Sequence, residues 1–595
     1  MSVHVVADDP VREAVVAALA DVDLEVRAAN PEDLADARFA VVSDVAGSET
    51  FARANAAARA GSTPWIGVEV GGIGGFPLAD VDAAVSGYAS ASDTGCYDCL
   101  RARVASTTEK DALADRPRAD RSAVRLAGAI AGREAVRVLS GDDRSILGHV
   151  VEVPHARRRF LPVPGCDCDE GRDRTLERDD DSLSLEEAVE RAELAIDDRV
   201  GPIVSIAEAE SFPAPYYLAT AADTSAYSDA SAARQAAGVD TDWNAALMKA
   251  VGEGLERYCA GVYRDDEFVR ASEADLAAAE DRGLDPENVV PPTELVRPEG
   301  AAAYDPADEI RWVEGENLET GEPALLPAAA VQFPQPGEPI AYSITTGLGL
   351  GSSTVDALLS GLTEVIERDA TMLAWYSTFE PLGLAVDDEA YHALERRAAS
   401  EGLSATPLLV TQDIDVPVVA VAVHRDPAEA DALGDEEWPH FAVGSAAGLD
   451  GTAAARSALA EAVQNWMELR GLGPEDADDA SGAIGEYASF TEAARDFVDA
   501  EATVPAERIG PDPAPEGAEA LTELVSRVAD AGLTPYAARL TTRDVGTVGF
   551  EAVRVVVPGA QPLFTGEPFF GERARTVPAD LGFEPRLERP FHPYP

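Results

Sequence analysis

Two stretches decide how this chain is read: GEGLERY at residues 252–258 and GLTEVIERDA at residues 361–370. Both contain Glu-x-x-Glu-Arg, with Glu253, Glu256 and Arg257 in the first and Glu364, Glu367 and Arg368 in the second. A helix turns about 100° per residue, so glutamates three positions apart share a face. In the longer run STVDALLSGLTEVIERDATMLAWY, Asp356, Ser360, Glu364 and Glu367 fall on a stripe about 80° wide. The rest of residues 354–366 is almost entirely apolar or small. In DTDWNAALMKAVGEGLERY, Asp242, Lys249, Glu253 and Glu256 align in the same way. Carboxylates confined to one row between apolar residues are expected to face inward. There they need arginines, protons or a hard divalent cation as counter-charge. The alternative is a pair of ordinary solvated or salt-bridged helix faces.

Composition gives that alternative weight. Asp and Glu number 108 against 47 Lys and Arg, a formal charge of −61 over 595 residues. Lys110 and Lys249 are the only lysines, which singles out Lys249 on the first row. Such a chain repels a phosphate backbone, so nucleic acid is not an expected partner. With 46% hydrophobic residues and acids dispersed among periodic apolar segments, it is not disordered either. A dispersed carboxylate surface fits a cytosol of high salt, where screening removes most self-repulsion, and a halophilic source is inferred. No apolar run approaches the ~20 residues that span a bilayer. The opening MSVHVVADDP shows no basic region leading into a hydrophobic stretch. A cytoplasmic chain with no membrane segment is expected.

VHVVA, LEVRAA, RFAVVSDV and PWIGVEV read as strands, and PVREAVVAALADV and ETFARANAAARAG between them have helical periodicity. This βα rhythm predicts a parallel, Rossmann-like α/β domain within residues 1–168. The turn after its first strand is ADDP, which lacks glycine and carries two acids. GGIGG at 71–75 comes too late and leads into Phe-Pro, so no phosphate site is expected in this domain. Cys96 and Cys99 in TGCYDCLRAR, with Cys166 and Cys168 in PGCDCDE, supply two close thiol pairs. They suit one tetrahedral, structural zinc; four unrelated buried thiols are the alternative. Cys259, in an apolar helix, is read as core. Residues 169–183, DEGRDRTLERDDDSL, read as an acidic linker. Residues 184–595 read as one large α+β region with surface loops at 280–300 and 503–518. The seven histidines are scattered, and His592 is expected in a frayed end.

Carboxylate rows with oxygen ligands only suit Mg2+, which commonly accompanies phosphates. TTGLGLGSST lies immediately before the second row. Its glycines are expected to let backbone amides approach an anion, helped by the dipole of the following helix. Together these features point to binding of a nucleotide with Mg2+.

GEGLERYCAG, TTGLGLGSSTVDALLSGLTEVIERDA and the late run VRVVVPGAQPL resemble the YcaO superfamily over roughly residues 183–595. RANAAARAGSTPWIGVEVGGIGG and GCYDCLRAR resemble a degenerate E1-like (ThiF-like) domain preceding it. The whole is similar to fused SagD-type thiazole/oxazole-forming peptide maturases, here of haloarchaeal character. The resemblance implies ATP- and Mg2+-dependent activation of a peptide amide. A nucleophile attacks the carbonyl, ATP phosphorylates the oxyanion, and phosphate leaves. A Cys, Ser or Thr side chain as nucleophile gives an azoline; sulfide gives a thioamide.

Glu253, Glu256, Glu364 and Glu367 match the family's metal-binding glutamates, and Arg257 and Arg368 its adjoining arginines. Asp356 stands where another glutamate is usual and Ser352 where asparagine is frequent; both belong to the implied ATP site. Gly238-Val239-Asp240 replaces a common Gly-Lys-Gly, leaving Lys249 as a candidate for the missing cation. The tail RPFHPYP keeps Pro593 and Pro595 of the Pro-x-Pro-x-Pro of azoline-forming relatives, and these are candidate catalytic-tail residues. Residues 1–40 read βαβ, not as a winged-helix peptide clamp, so peptide recognition is altered or supplied by another protein. A cyclodehydratase of peptide maturation is expected. Thioamide formation, an accessory role in ribosomal-protein methylthiolation, and a non-catalytic peptide-binding scaffold are the alternatives. Expected partners are a peptide or protein substrate, a separate recognition or sulfur-donor protein, and a second copy in a homodimer.

Overall fold

The computed structural model describes residues 2–595 apart from 90–93, 143, 155, 169–170, 279–287, 427, 429–436, 478–479 and 481. Residues 169–170 of the expected linker and 280–287 of the expected 280–300 loop therefore lie outside the described residues. Strands Ser2–Val6, Glu25–Ala28, Ala40–Val45 and Trp65–Val70 pair in parallel, with Ser2–Val6 between the second and third. Ala83–Tyr88, His149–Val153 and Ala156–Arg159 continue the same sheet antiparallel, to seven strands. Val3, Val5, Val41, Val42, Ile66 and Val68 of these strands are buried in two apolar clusters, as the covered faces of a parallel sheet require.

The GGIGG loop follows the fourth strand. The amides of Gly74 and Gly75 donate to the buried carboxylate of Glu69 at 2.6 and 2.7 Å. Burial pushes Glu69 up to about 7 against these two amides and the Tyr97 hydroxyl, which favour its charged form. An acid of the neighbouring strand thus occupies the amides that could otherwise cradle a ligand anion.

Besides a two-stranded ribbon of Gly72–Ile73 with Phe76–Pro77, three further sheets are found among the described residues. Ile203–Glu210, Tyr216–Ala221 and Gln235–Val239 form an antiparallel meander. A six-stranded sheet contains Leu348–Gly351 at one edge, paired with Glu551–Val556. A five-stranded sheet has Phe441–Ala447 at its edge, paired with Val418–His424. The first glutamate row lies on helix Trp243–Gly261, capped by Asp242, whose side chain accepts from the amides of Asn244 and Ala245. The second lies on Thr354–Trp375, capped by Ser353. Glycines set how closely this second helix approaches its strand. A Cβ on Gly349 would lie 2.1 Å from the Ala357 carbonyl, and one on Gly347 (φ +88°) 2.2 Å from that of Val555. The glycines of TTGLGLG therefore serve strand-to-helix contact, and the Gly347 amide is given to the Glu364 carboxylate at 2.9 Å. The expected use of this loop for an anion is corrected at that position.

The C-terminal end is packed, not frayed. His592 and Tyr594 are fully buried, and His592 Nε2 lies 2.7 Å from the Phe564 carbonyl. The indole of Trp375 donates to the Pro590 carbonyl at 2.9 Å, and the Arg589 guanidinium stacks 4.0 Å from the Trp375 ring centroid. Aromatic burial in PFHPYP outweighs the usual mobility of a chain end.

Arg103 joins the first 168 residues to the rest. It is fully buried, as is its ion-pair partner Asp544. It also donates to the hydroxyls of Tyr258 (3.3 Å) and Tyr227 (3.4 Å) and to the Pro162 carbonyl (2.9 Å). Tyr258 donates in turn to Asp544 at 2.6 Å. Removing one charge of such a pair leaves the other buried and uncompensated. Asp544→Asn is expected to lower unfolding free energy by about 3–5 kcal/mol, read from denaturant titration of the full chain. A shift below about 1 kcal/mol would mean that the tyrosines alone satisfy Arg103.

Candidate active site

The two rows meet in one cavity of about 1080 Å3, with a third helix that was not singled out from the sequence. This helix, Gly451–Leu472, is capped by Asp450 and lies against strands Phe441–Ala447 and Val418–His424. It brings Glu461, Gln464, Asn465 and Glu468 to the cavity. From the first helix come Lys249, Glu253, Glu256 and Arg257, and from the second Ser360, Glu364, Glu367 and Arg368. Among the described residues the lining holds seven glutamates, counting Glu210, against three cations.

Most of these carboxylates have a defined donor. Glu253 accepts from the Ala237 amide at 2.6 Å and pairs with Arg257 at 2.5 Å. Glu367 accepts from the Ser445 hydroxyl at 2.6 Å, and Glu461 from the Ser445 amide at 2.9 Å. Glu468 accepts from Gln464 at 3.0 Å and Tyr216 at 3.3 Å. Arg368 lies 3.9 Å from Glu364, 3.2 Å from Glu367 and 3.7 Å from Glu461, tying the second helix to the third.

These contacts do not neutralise the site. Enclosure in protein, then repulsion from Glu364 and Glu253, pushes Glu256 up to about 8. Enclosure does the same to Glu367, to about 8, with Arg368 opposing and Glu461 reinforcing. Glu364, Glu461 and Glu468 are all raised, chiefly by burial. Arg554, on strand Glu551–Val556, is drawn down to about 10 by burial, with Glu364 and Glu256 holding it charged. It donates to the Thr345 carbonyl at 2.9 Å. An excess of enclosed carboxylates is the donor set for hard cations such as Mg2+.

Of the remaining candidates, Lys249 and Pro595 line this cavity and Ser352, Asp356 and Pro593 do not. Ser352 and Asp356 hydrogen-bond each other at 3.0 Å at the start of the second helix, and Ser352 accepts from the Leu183 amide at 2.9 Å. Neither lines the cavity. Lys249 is bound to Asp240 at 2.8 Å and to the Val239 carbonyl at 3.2 Å. Pro595 lines the cavity, and Pro593 does not. The sequence contained a signal for the third helix. Glu461, Gln464 and Glu468 share one face of an apolar helix, ALAEAVQNWMEL, but no Glu-x-x-Glu marked it. Arg554 is the lone charge in the run AVRVVVP.

The cysteine group lies elsewhere. Sγ atoms of Cys96, Cys99, Cys166 and Cys168 lie within 4.8 Å of one another. The contacts Cys96–Cys99, Cys96–Cys166 and Cys99–Cys168 are 3.9, 3.7 and 3.4 Å. Thiolates about 2.3 Å from a tetrahedral ion sit ~3.8 Å apart. The Val163 amide points at Cys99 Sγ (3.3 Å) and Arg543 at Cys168 Sγ (3.4 Å), as donors do toward thiolates.

Residues 237–561 match the family profile described as YcaO cyclodehydratase, ATP- and Mg2+-binding. An uncharacterized protein of Methanothermobacter thermautotrophicus is 32% identical over 199 residues, 31% of this chain and 47% of that protein. The chain spans about half the length of the curated relatives it matches. A solved heterocyclase in complex with substrate and cofactor has a TM-score of 0.73 at 18% identity, covering 100% of this chain and 85% of the other. The heterocyclase TruD has a TM-score of 0.66 at 18% identity, covering 100% and 84%. At such identity the likeness is one of fold. The family profile takes in more than half of the sequence, both Glu-x-x-Glu-Arg rows and the third acidic helix, and the chain belongs to the YcaO family of ATP- and Mg2+-binding cyclodehydratases.

Proposed function

We propose that this protein activates peptide-backbone amides with ATP and Mg2+ and forms azoline rings from Cys, Ser or Thr side chains. The observation that carries this reading is the convergence of glutamates from three helices in one cavity with Arg257, Arg368 and Lys249. In this reading Glu253, Glu256, Glu364, Glu367 and Glu468 hold Mg2+, which supplies charge neutralisation for the phosphates. Arg368, fixed by three carboxylates, faces the transferred phosphoryl group, and Arg554 balances Glu256 and Glu364. Ser352 and Asp356, expected in the ATP site, pair with each other outside the cavity and act by fixing the start of the second helix. The Pro593–Pro595 tail closes the cavity against water beside the reacting amide. The peptide substrate enters from the open side, and a separate protein presents it.

We further propose an E1-like origin for residues 1–168, the acidic linker at 169–183 and the catalytic unit at 184–595, in a SagD-type cytoplasmic protein of haloarchaeal character. The four cysteines hold one structural zinc; their spacing, thiol chemistry and directed N–H donors fit it. With four thiolates there is no open position, so zinc supplies folding energy and no chemistry. Purified protein should contain one zinc per chain by elemental analysis. Cys96→Ser should lose it and lower the stability of the N-terminal sheet while ATP binding persists. A fully stable protein without zinc would remove this assignment.

For the nucleotide site, Glu364→Gln keeps shape and removes charge, so the chain should fold. ATP binding with Mg2+ titrated at high salt should weaken roughly 100-fold. Glu253→Gln should do likewise, and the double variant should add little because both act on one site. Glu177→Gln in the linker serves as control. Incubation with a Cys-containing precursor peptide should give loss of one water mass per ring by mass spectrometry. Gain of sulfur for oxygen would identify thioamide formation instead. If the Glu364 and Glu253 variants match the control, the nucleotide reading would be abandoned.

A further inference from the structure

Helix Arg121–Ser140 departs from the charge pattern of the rest of the chain. Acids outnumber bases 108 to 47 overall, yet residues 116–159 hold ten arginines and five acids. Val124, Ala127, Ala131 and Ala135 pack its inner face onto the sheet and the Val11–Ala20 helix. Its one acid, Glu134, is buried at 5% exposure. The open face carries Arg121, Arg125 and Arg133, with Leu126 exposed at 48%, and no carboxylate along the whole helix offsets them. Arg125 reaches Glu13 on the neighbouring helix at 3.1 Å, where both side chains are more than half exposed and the pair is worth little.

The basic surface continues onto the edge of the sheet. Ala156–Arg159 pairs with His149–Val153 on one side and, among the described residues, with no strand on the other. Arg157 and Arg159 alternate with Arg158, which turns to Glu152, Asp197 and Asp198. Arg157 donates to the carbonyl of Ser145 at 2.9 Å, binding the edge to the loop after the helix. His149, on the neighbouring strand, is held down by burial and then by Arg157 and Arg159, with the Leu147 carbonyl opposing.

Arginine enrichment, loss of acids and an exposed leucine are the marks of an interface, not of a surface kept soluble by charge. We propose that the open face of Arg121–Ser140, continued by Arg157 and Arg159, docks an acidic polypeptide segment of a separate protein. Its carboxylates pair with the arginines and an apolar side chain covers Leu126. Nucleic acid fits less well. Leu126, not an aromatic ring on which bases stack, is the exposed large apolar group of this helix. A symmetric second copy would oppose arginine to arginine across the axis. This surface is separate from the glutamate cavity, and the proposal does not depend on the nucleotide reading.

The test uses the full chain and a fluorescein-labelled peptide of Glu with Leu at every third and fourth position, followed by anisotropy over a salt series. The wild type should bind, and affinity should fall as salt screens the pairs. R121E/R125E/R133E should weaken binding by ~10-fold or more. L126S should weaken it less, and R508E, at an exposed arginine elsewhere, should leave it unchanged. Absence of binding by the wild type, or equal binding by the triple variant, overturns the proposal. So does displacement of the peptide by a lower concentration of polyuridylate, which assigns the surface to nucleic acid. Self-association in sedimentation that the triple variant lacks assigns it to a second copy and equally overturns it.

Discussion

Glutamates from three helices share one enclosed space, and the surrounding structure is arranged to tolerate their repulsion. Arg368 is the centre of that arrangement, within 4.0 Å of carboxylates from both its own helix and the third. Backbone and side-chain donors take up further oxygens: the Gly347, Ala237 and Ser445 amides and the Ser445 hydroxyl. These donors sit on or beside strands that touch the helices closely, which explains the glycines at 347 and 349. The upward pull on Glu256 and Glu367 is the charge left uncompensated, and a divalent cation is the chemistry that relieves it.

A second buried charge organises the chain at longer range. Arg103 belongs to helix Tyr97–Thr107, whose first turn carries Cys99 and whose cap is Cys96. Its partners Tyr258 and Asp544 belong to the other part of the chain, and Tyr258 follows Arg257 of the first row. One helix therefore holds half of the cysteine group at one end and a fixed link to a glutamate-bearing helix further along. The apolar cluster around Cys96, Cys99, Leu161 and Val163 also includes Val251, Leu255 and Tyr258. The two parts share a core, so their relative placement is set by packing as well as by charge.

Some of this was legible because it is local. Spacing of three residues on an apolar helix places Glu253 with Glu256 and Glu364 with Glu367 whatever the fold. The βα rhythm of the first 75 residues is likewise a periodicity, and strands Ser2–Val6 to Trp65–Val70 follow it. Reading failed where a residue's partner is distant. Glu461 and Glu468 looked like ordinary acids in an acidic chain until strand Phe441–Ala447 set Ser445 against Glu367. Arg554, a lone charge in an apolar strand, takes its meaning from Glu256 and Glu364, which are distant in sequence. The tail looked mobile because its aromatic partners Trp375, Tyr487 and Phe564 lie far away in sequence.

The sequence by itself determined the two glutamate rows, the paired cysteines, the excess of negative charge and the absence of a phosphate turn in ADDP. Each is a matter of residue type and short-range geometry. The tertiary structure alone decided that three helices converge on one cavity, that Glu69 fills the GGIGG amides, and that Arg103 locks the two parts together. It also decided that Arg121, Arg125 and Arg133 lie on the open face of one helix. Burial and Coulomb interaction depend on distance in space, and contacts such as Arg103 to Asp544 join residues with no local pattern to announce them.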